Sequence, residues 1–333
     1  MFEMILTIFL VTLAIPAVVG AIFVGTTYVF WYLEETKRVT PVADAIGAPK
    51  EAAGGMTAGS SEMVIERPSI LRTMRLAWSE YVSGTLLTIL YPFGLKNRKL
   101  SPGLVPTEAA DPIMYVHGYL MNRSCFLLMS VRVEHEFDMH FYDSITLTPQ
   151  LGTIEQFAEK LMARLEEAAI NFRVEKFQIV AHSMGGLVTR YALANLGGTA
   201  RISRVISLGT PHQGTTVSRM SMTKLGRSMR NGSDFIKRLE EDEAEHPERR
   251  VPWVAIATRD DEIVTPAENG TWERANANLL IEGMGHNGLL TDAELSWIVG
   301  GTLLLPTWST ANLANIVIPD HYIWQYNEQY HEQ

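Results

Sequence analysis

The segment KFQIVAHSMGGLVTRYALANLG, residues 176–197, changes its hydrophobic period half-way along, and no other stretch limits the possible folds as strongly. Phe177, Ile179, Val180 and Ala181 make a short apolar run of the kind a buried strand carries. Leu187, Val188, Tyr191, Ala192 and Leu196 then recur at helical spacing, and Gly197 and Gly198 supply a stop. Ser183 falls on the hinge. A strand that passes directly into a helix strains the backbone of its apex residue, and small residues two positions to either side, here Ala181 and Gly185, leave room for it. Such a turn lifts the hydroxyl above the sheet edge. It also sets the amide of Met184 at a helix N-terminus, where negative charge is stabilised.

The same alternation extends over residues 111–305. Apolar Ile113 to Val116 precedes a helical stretch near Cys125 to Val133, then FDMHFYDS, a helix from Ile154 to Phe172, the serine unit, ISRVISLGT, VPWVAIATRDD, NLLIEGMGH and a last helical stretch from Asn287 to Leu303. Strand and helix in alternation predict a mostly parallel sheet flanked by helices, with chemistry on loops at the carboxyl ends of strands. Those ends carry His117-Gly118, Ser183, Asp260-Asp261 and His286 in turn. A serine, an acid and a histidine on three separate strand ends form the set that activates a hydroxyl nucleophile: the imidazole takes the proton and the carboxylate orients the imidazole. Residues 215–250 separate two strands by far more than an ordinary connection, which predicts a lid whose Met220, Met222, Leu225 and Met229 either line an apolar pocket or dock it on the core.

The strings AHSMGG, LGTPHQGT, VHGYLMNRS, DEIV and GHNGLL together resemble bacterial lipases of the α/β-hydrolase superfamily over about residues 111–303. Ala181 stands where the G-x-S-x-G pattern has its first glycine, a change that keeps the position small. The resemblance implies an α/β-hydrolase fold with a lid insertion and a triad in the chain order Ser183, Asp261, His286. Asp261 rather than Asp260 fits the D-x-x-V spacing, through Val264. It implies an oxyanion hole from the backbone amides of Tyr119 and Met184, with His117 and Gly118 as support of the oxyanion loop. It implies cleavage of acyl esters of the lipase, phospholipase or carboxylesterase type, without metal or organic cofactor. An acyltransferase or thioesterase would use the same three residues, and a catalytically silent membrane scaffold would keep the fold for partner binding.

Residues 1–110 lie outside that resemblance. From Met4 to Leu33 no residue is charged, and Tyr28, Trp31 and Tyr32 gather at the far end. Thirty residues at about 1.5 Å each exceed a hydrocarbon core of roughly 30 Å, so residues 1–38 predict a single-pass transmembrane helix. Membrane-anchored members of the resembling group have such a stretch. Lys37, Arg38 and Lys50 after it place the body on the cytosolic side of a bacterial cytoplasmic membrane. Residues 39–69, rich in Ala, Gly, Ser and Pro, predict a flexible linker. Residues 70–110 open with an apolar, aromatic-bearing helix interrupted by Arg72, Arg75 and Glu80, predicted to pack on the body or to lie in the membrane interface. An anchor and a second apolar helix make a homodimer possible. Residues 306–333 form a C-terminal tail. A formal charge of -9 and a pI near 5.5 argue against nucleic-acid binding, and the single Cys125 excludes an intrachain disulfide framework.

Overall fold

The computed structural model describes residues 20–22, 24–29, 31–33, 69–99, 111–139, 142–319 and 322–326. Helix α1, Ile70–Leu90, starts at Ser69, whose hydroxyl accepts a hydrogen bond from the Arg72 amide. There follow strand β1 (Ile113–Val116), helix α2 (Leu127–Phe137), β2 (Tyr142–Ile145), α3 (Ile154–Phe172), β3 (Phe177–His182), α4 (Met184–Asn195) and β4 (Ile202–Leu208). Helices α5 (Lys224–Ser228) and α6 (Asp234–Glu245) lead to β5 (Trp253–Thr258) and β6 (Ala277–Ile281). The order ends with α7 (Gly288–Thr291), α8 (Ala293–Leu304), α9 (Thr310–Leu313) and β7 (Ile323–Tyr326).

The strands form one seven-stranded sheet in the order β2-β1-β3-β4-β5-β6-β7, parallel except where β7 pairs antiparallel with β6. Side chains of period two divide between the sheet faces. Met114, Val116, Ile179, Ala181, Trp253 and Ala255 belong to one core cluster, and Ile113, Tyr115, Val180, Val254 and Ile256 to another. Helices cover both faces, which is why consecutive apolar residues such as Ile179–Ala181 in β3 and Val254–Ala257 in β5 are buried on both sides of the sheet. In α3 the cause of the helix is local: Thr153 and Gln156 form a reciprocal capping box, and Arg173 ends it in the left-handed region at φ 56°. Its buried Ile154, Phe157, Ala158, Leu161 and Leu165 recur at helical spacing. Each large one stabilises the fold by about 1.5–3 kcal/mol. In the segment read from sequence as a tail, Ile323–Tyr326 supplies the edge strand.

The N-terminal expectation is corrected by the structure. Residues 1–19, 23, 30 and 34–38 of the predicted anchor lie outside the described residues, as does the predicted linker except Ser69. No helix among the described residues is long and apolar enough to cross a membrane. The described part of residues 20–33 is helical and leans on the body. Tyr28 and Trp31, expected at lipid headgroups, are only 2% and 3% exposed, pack edge to face at 5.9 Å, and cluster with Val24 and Leu76. The Tyr28 hydroxyl donates to the carbonyl of Asp260 at 3.4 Å. The Tyr28 ring thus has an apolar neighbour and a polar one, both supplied by protein. The transmembrane helix, the membrane as partner, the single-pass location in a bacterial cytoplasmic membrane with a cytosolic body, the membrane-anchored form of the enzyme and the dimerisation argued from the anchor are all withdrawn with it.

Helix α1 packs with its polarity inverted. It buries Glu80 and Ser83 beside Leu76 and Leu87, while Ile70, Leu71, Met74 and Trp78 are exposed. Arg72, placed at lipid headgroups by one reading of the sequence, meets Asp260 at 2.9 Å instead.

Candidate active site

Ser183 occupies the turn between β3 and α4 with φ 54° and ψ -125°, one of four described non-glycine residues at positive φ. A residue held there costs on the order of 1–3 kcal/mol, so its surroundings must fix it. They do. Its amide donates to the carbonyl of Leu208 at 2.8 Å, and its carbonyl accepts from Thr210 Oγ1 at 2.9 Å. Gly185 is dictated by close packing: a Cβ there would lie 2.3 Å from the carbonyl oxygen of Val116. The Ser183 side chain does not cap α4. Met184 therefore begins the helix with an amide that has no intrahelical acceptor.

His286 lies on the loop after β6, and its Nδ1–H donates to Asp261 Oδ2 at 2.9 Å. The other carboxylate oxygen, Oδ1, accepts from the amides of Ile263 and Val264 at 2.9 and 2.7 Å. Asp261 is thus fixed at both oxygens, and the tautomer of His286 leaves Nε2 as the basic nitrogen. Burial opposes charge on this imidazole, but the charge and hydrogen bond of Asp261, and then Glu80, outweigh it and hold the pKa above the ordinary range. Asp260, adjacent in sequence, turns elsewhere, to Arg72 and to the amide of Gly283 at 2.7 Å. The ring of His286 lies 4.6 Å from that of His182, whose Nε2 donates to the His286 carbonyl at 3.1 Å. The residue before Ser183 therefore carries the histidine loop.

The loop after β1 completes the rim. Gly118 passes so close to the serine that a Cβ on it would lie 2.8 Å from Ser183 Cβ. His117 Nδ1–H donates to the Gly118 carbonyl at 2.8 Å and its Nε2 accepts from the Leu147 amide at 2.9 Å. Burial, against the pull of the Gly118 carbonyl, brings its pKa down to about 4, so it bridges two loops as a neutral ring. The Tyr119 hydroxyl pairs with Thr223 at 2.9 Å. Sequence-predicted Ser183, Met184, His117, Gly118, Tyr119, Asp261 and His286 all stand at one end of the sheet. Of the lid methionines, Met220 and Met222 are exposed, whereas Leu225 and Met229 join the core.

Sequence reasoning missed a second layer. Glu80 of α1 reaches across to the histidine loop, where its carboxylate accepts from the amides of Asn287 at 2.5 Å and Gly288 at 3.1 Å. Glu262 accepts from the amide of His286 itself at 3.1 Å. Both carboxyls are fully buried. Burial first, then the charges of Glu80 and Asp261, lift Glu262 well above the carboxylate range; burial lifts Glu80 too, against the Asn287 amide, the charge of His286 and the Gly288 amide, which favour its ionised form. Tyr28, Glu80 and Glu262 converge on Gly285, where a Cβ would lie 2.5 to 2.7 Å from an oxygen of each. The only signal in the sequence was Glu80 itself, a charge inside an apolar helix.

The chain is similar in fold to a solved lipase from Bacillus licheniformis, BlEst2. Its mature form superposes with a TM-score of 0.55 at 21% identity, over 63% of this chain and 98% of that one. The fold is the α/β-hydrolase fold. The propeptide form of that lipase gives 0.52 at 22% identity, over 61% of this chain and 52% of that one. A family model described as lecithin:cholesterol acyltransferase matches residues 148–253, which span α3, the Ser183 elbow and the insertion before β5. The described helical residues upstream of β1 reach the histidine loop through Tyr28 and Glu80.

Proposed function

We propose that this protein is a serine hydrolase that cleaves carboxylic esters through an acyl-enzyme. Ser183 Oγ attacks the ester carbonyl while His286 Nε2 takes its proton, and Asp261 holds the imidazole and balances its charge. The oxyanion forms against the amides of Met184 and Tyr119. The imidazolium then protonates the leaving alcohol. Water, deprotonated by the same nitrogen, attacks the acyl-enzyme, and the released carboxylic acid and the free hydroxyl of Ser183 close the cycle. The observation that supports the reading is a positive-φ serine elbow whose hydroxyl does not cap its helix, at the same sheet end as a histidine whose Nδ1 is tied to a doubly anchored aspartate.

Hydrolysis of p-nitrophenyl esters by wild type and by Ser183→Ala tests it, with covalent labelling by a fluorophosphonate as a second readout. Loss of one member of such a unit costs about 10⁴–10⁶ in kcat. Equal turnover by the variant would refute the assignment. The match of residues 148–253 to an acyltransferase family supports a second reading, in which an alcohol replaces water as the acyl acceptor. Ester products formed in the presence of added long-chain alcohol would identify it.

A further inference from the structure

A cavity of about 520 Å³ opens beside the loop after β1 and runs under helix α1. Tyr81, Gly84 and Leu87 of α1 form one wall, Tyr119 and Met121 the other, and Asn287, next to His286, closes one end. None of its lining residues is charged. We propose that this cavity receives the acyl chain of the ester, and that Gly84 sets the longest chain it accepts. The proposal rests on the hydrolase reading above.

Three features argue for it. The volume lies in the range of small-ligand pockets, and the lining is apolar with scattered hydroxyl and amide groups, which suits an alkyl chain and offers nothing to pair with a phosphate or an ammonium. Tyr119, whose amide the hydrolase reading assigns to the oxyanion, and Asn287, the neighbour of His286, both line the cavity, so it borders the loops on which that reading holds the acyl carbonyl. The lid methionines that sequence offered as an acyl lining are absent from its lining, and the cavity lies on the α1 side of the site.

Gly84 is the point where this space can be altered. A Cβ on Gly84 would meet only Asn287 Nδ2, at 3.7 Å, whereas Gly118, Gly185, Gly186 and Gly285 each have an atom within 3 Å of the corresponding point. Neither a positive φ nor a crowding neighbour demands glycine at 84. A longer side chain there extends into the cavity.

The test uses the full chain as wild type, Gly84→Ala and Gly84→Leu. One substrate series varies the acyl chain, from p-nitrophenyl acetate to butyrate, octanoate and dodecanoate. The other varies the alcohol of acetate esters from ethyl to octyl. The ratio of kcat/KM for octanoate to that for acetate is expected to fall about tenfold or more in Gly84→Leu, by the usual worth of a methylene or two in an apolar pocket, and by less in Gly84→Ala, which favours the helix. A ratio unchanged in both variants, or a loss that follows alcohol length instead, overturns the assignment while leaving Ser183-dependent hydrolysis intact. Absence of any Ser183-dependent turnover in wild type overturns the hydrolase reading itself and this proposal with it.

Discussion

Two neighbouring aspartates illustrate how much chemistry a single position decides. Asp260 and Asp261 are both buried, yet the backbone turn after β5 sends one to Arg72 and Gly283 and the other to His286. Asp261→Asn presents an amide to Nδ1 and favours the wrong imidazole tautomer, so kcat should fall by about 10⁴. Asp260→Asn should spare most of kcat and act on stability, through the Gly283 amide and Arg72. Steady-state kinetics beside urea denaturation separates the two. The proposed serine and histidine could be picked out because a serine at a period change and a histidine after an apolar run need only one-dimensional pattern to be found. Which aspartate faces the imidazole depends on a turn whose geometry neither side chain announces, and spacing alone favoured Asp261. Gly285 was not legible at all, since what crowds it comes from residues 28, 80 and 262.

Among the elements, α1 carries the clearest lesson about reading polarity. A helix with many apolar residues and a few charges ordinarily turns the charges outward. Here the charge is bound by two backbone amides at the start of α7, and unmatched amides at a helix start are what a carboxylate suits best. Glu80→Ala leaves the amides of Asn287 and Gly288 without their acceptor, and should destabilise the fold by about 2–4 kcal/mol in urea titration. Glu80→Gln keeps an acceptor and removes the charge, which gives a cleaner test of its influence on His286. The imidazole must be neutral to act as base, so activity rises as pH increases through its pKa. With that pKa raised, the acid limb of the kcat/KM profile should lie above about 6.5 in wild type. Removing a neighbouring negative charge makes the imidazolium less stable, so Glu80→Gln should move the limb to lower pH. A limb that does not shift would mean that Glu80 holds the loop without tuning the ring.

At the scale of the molecule, the sheet was readable in outline from alternation between residues 111 and 305, and its antiparallel edge was not. Ile323–Tyr326 is short and polar in part, and its pairing with β6 is a long-range choice that no local period reports. That strand covers an edge that would otherwise expose the backbone groups of β6. Ending the chain at Pro319 should therefore increase self-association in size-exclusion chromatography and lower the unfolding temperature, while Ser183 stays reactive toward fluorophosphonate. The N-terminal segment misled for a related reason. Hydropathy registers that Tyr28 and Trp31 avoid water, not whether lipid or protein relieves them, and here the relief comes from Leu76 and the carbonyl of Asp260.

The contact between Glu80 and Asn287 joins residues 207 positions apart. During synthesis at about 5–20 residues per second, α1 leaves the ribosome roughly 10–40 s before the amides it will bind. Through that interval Leu76 can already meet Val24, Tyr28 and Trp31, which precede it, but the acid lacks the amides of Asn287 and Gly288 and has water in their place. The clamp that steadies the histidine loop can close only after nearly the whole chain has emerged, so competence for chemistry arrives late and all at once.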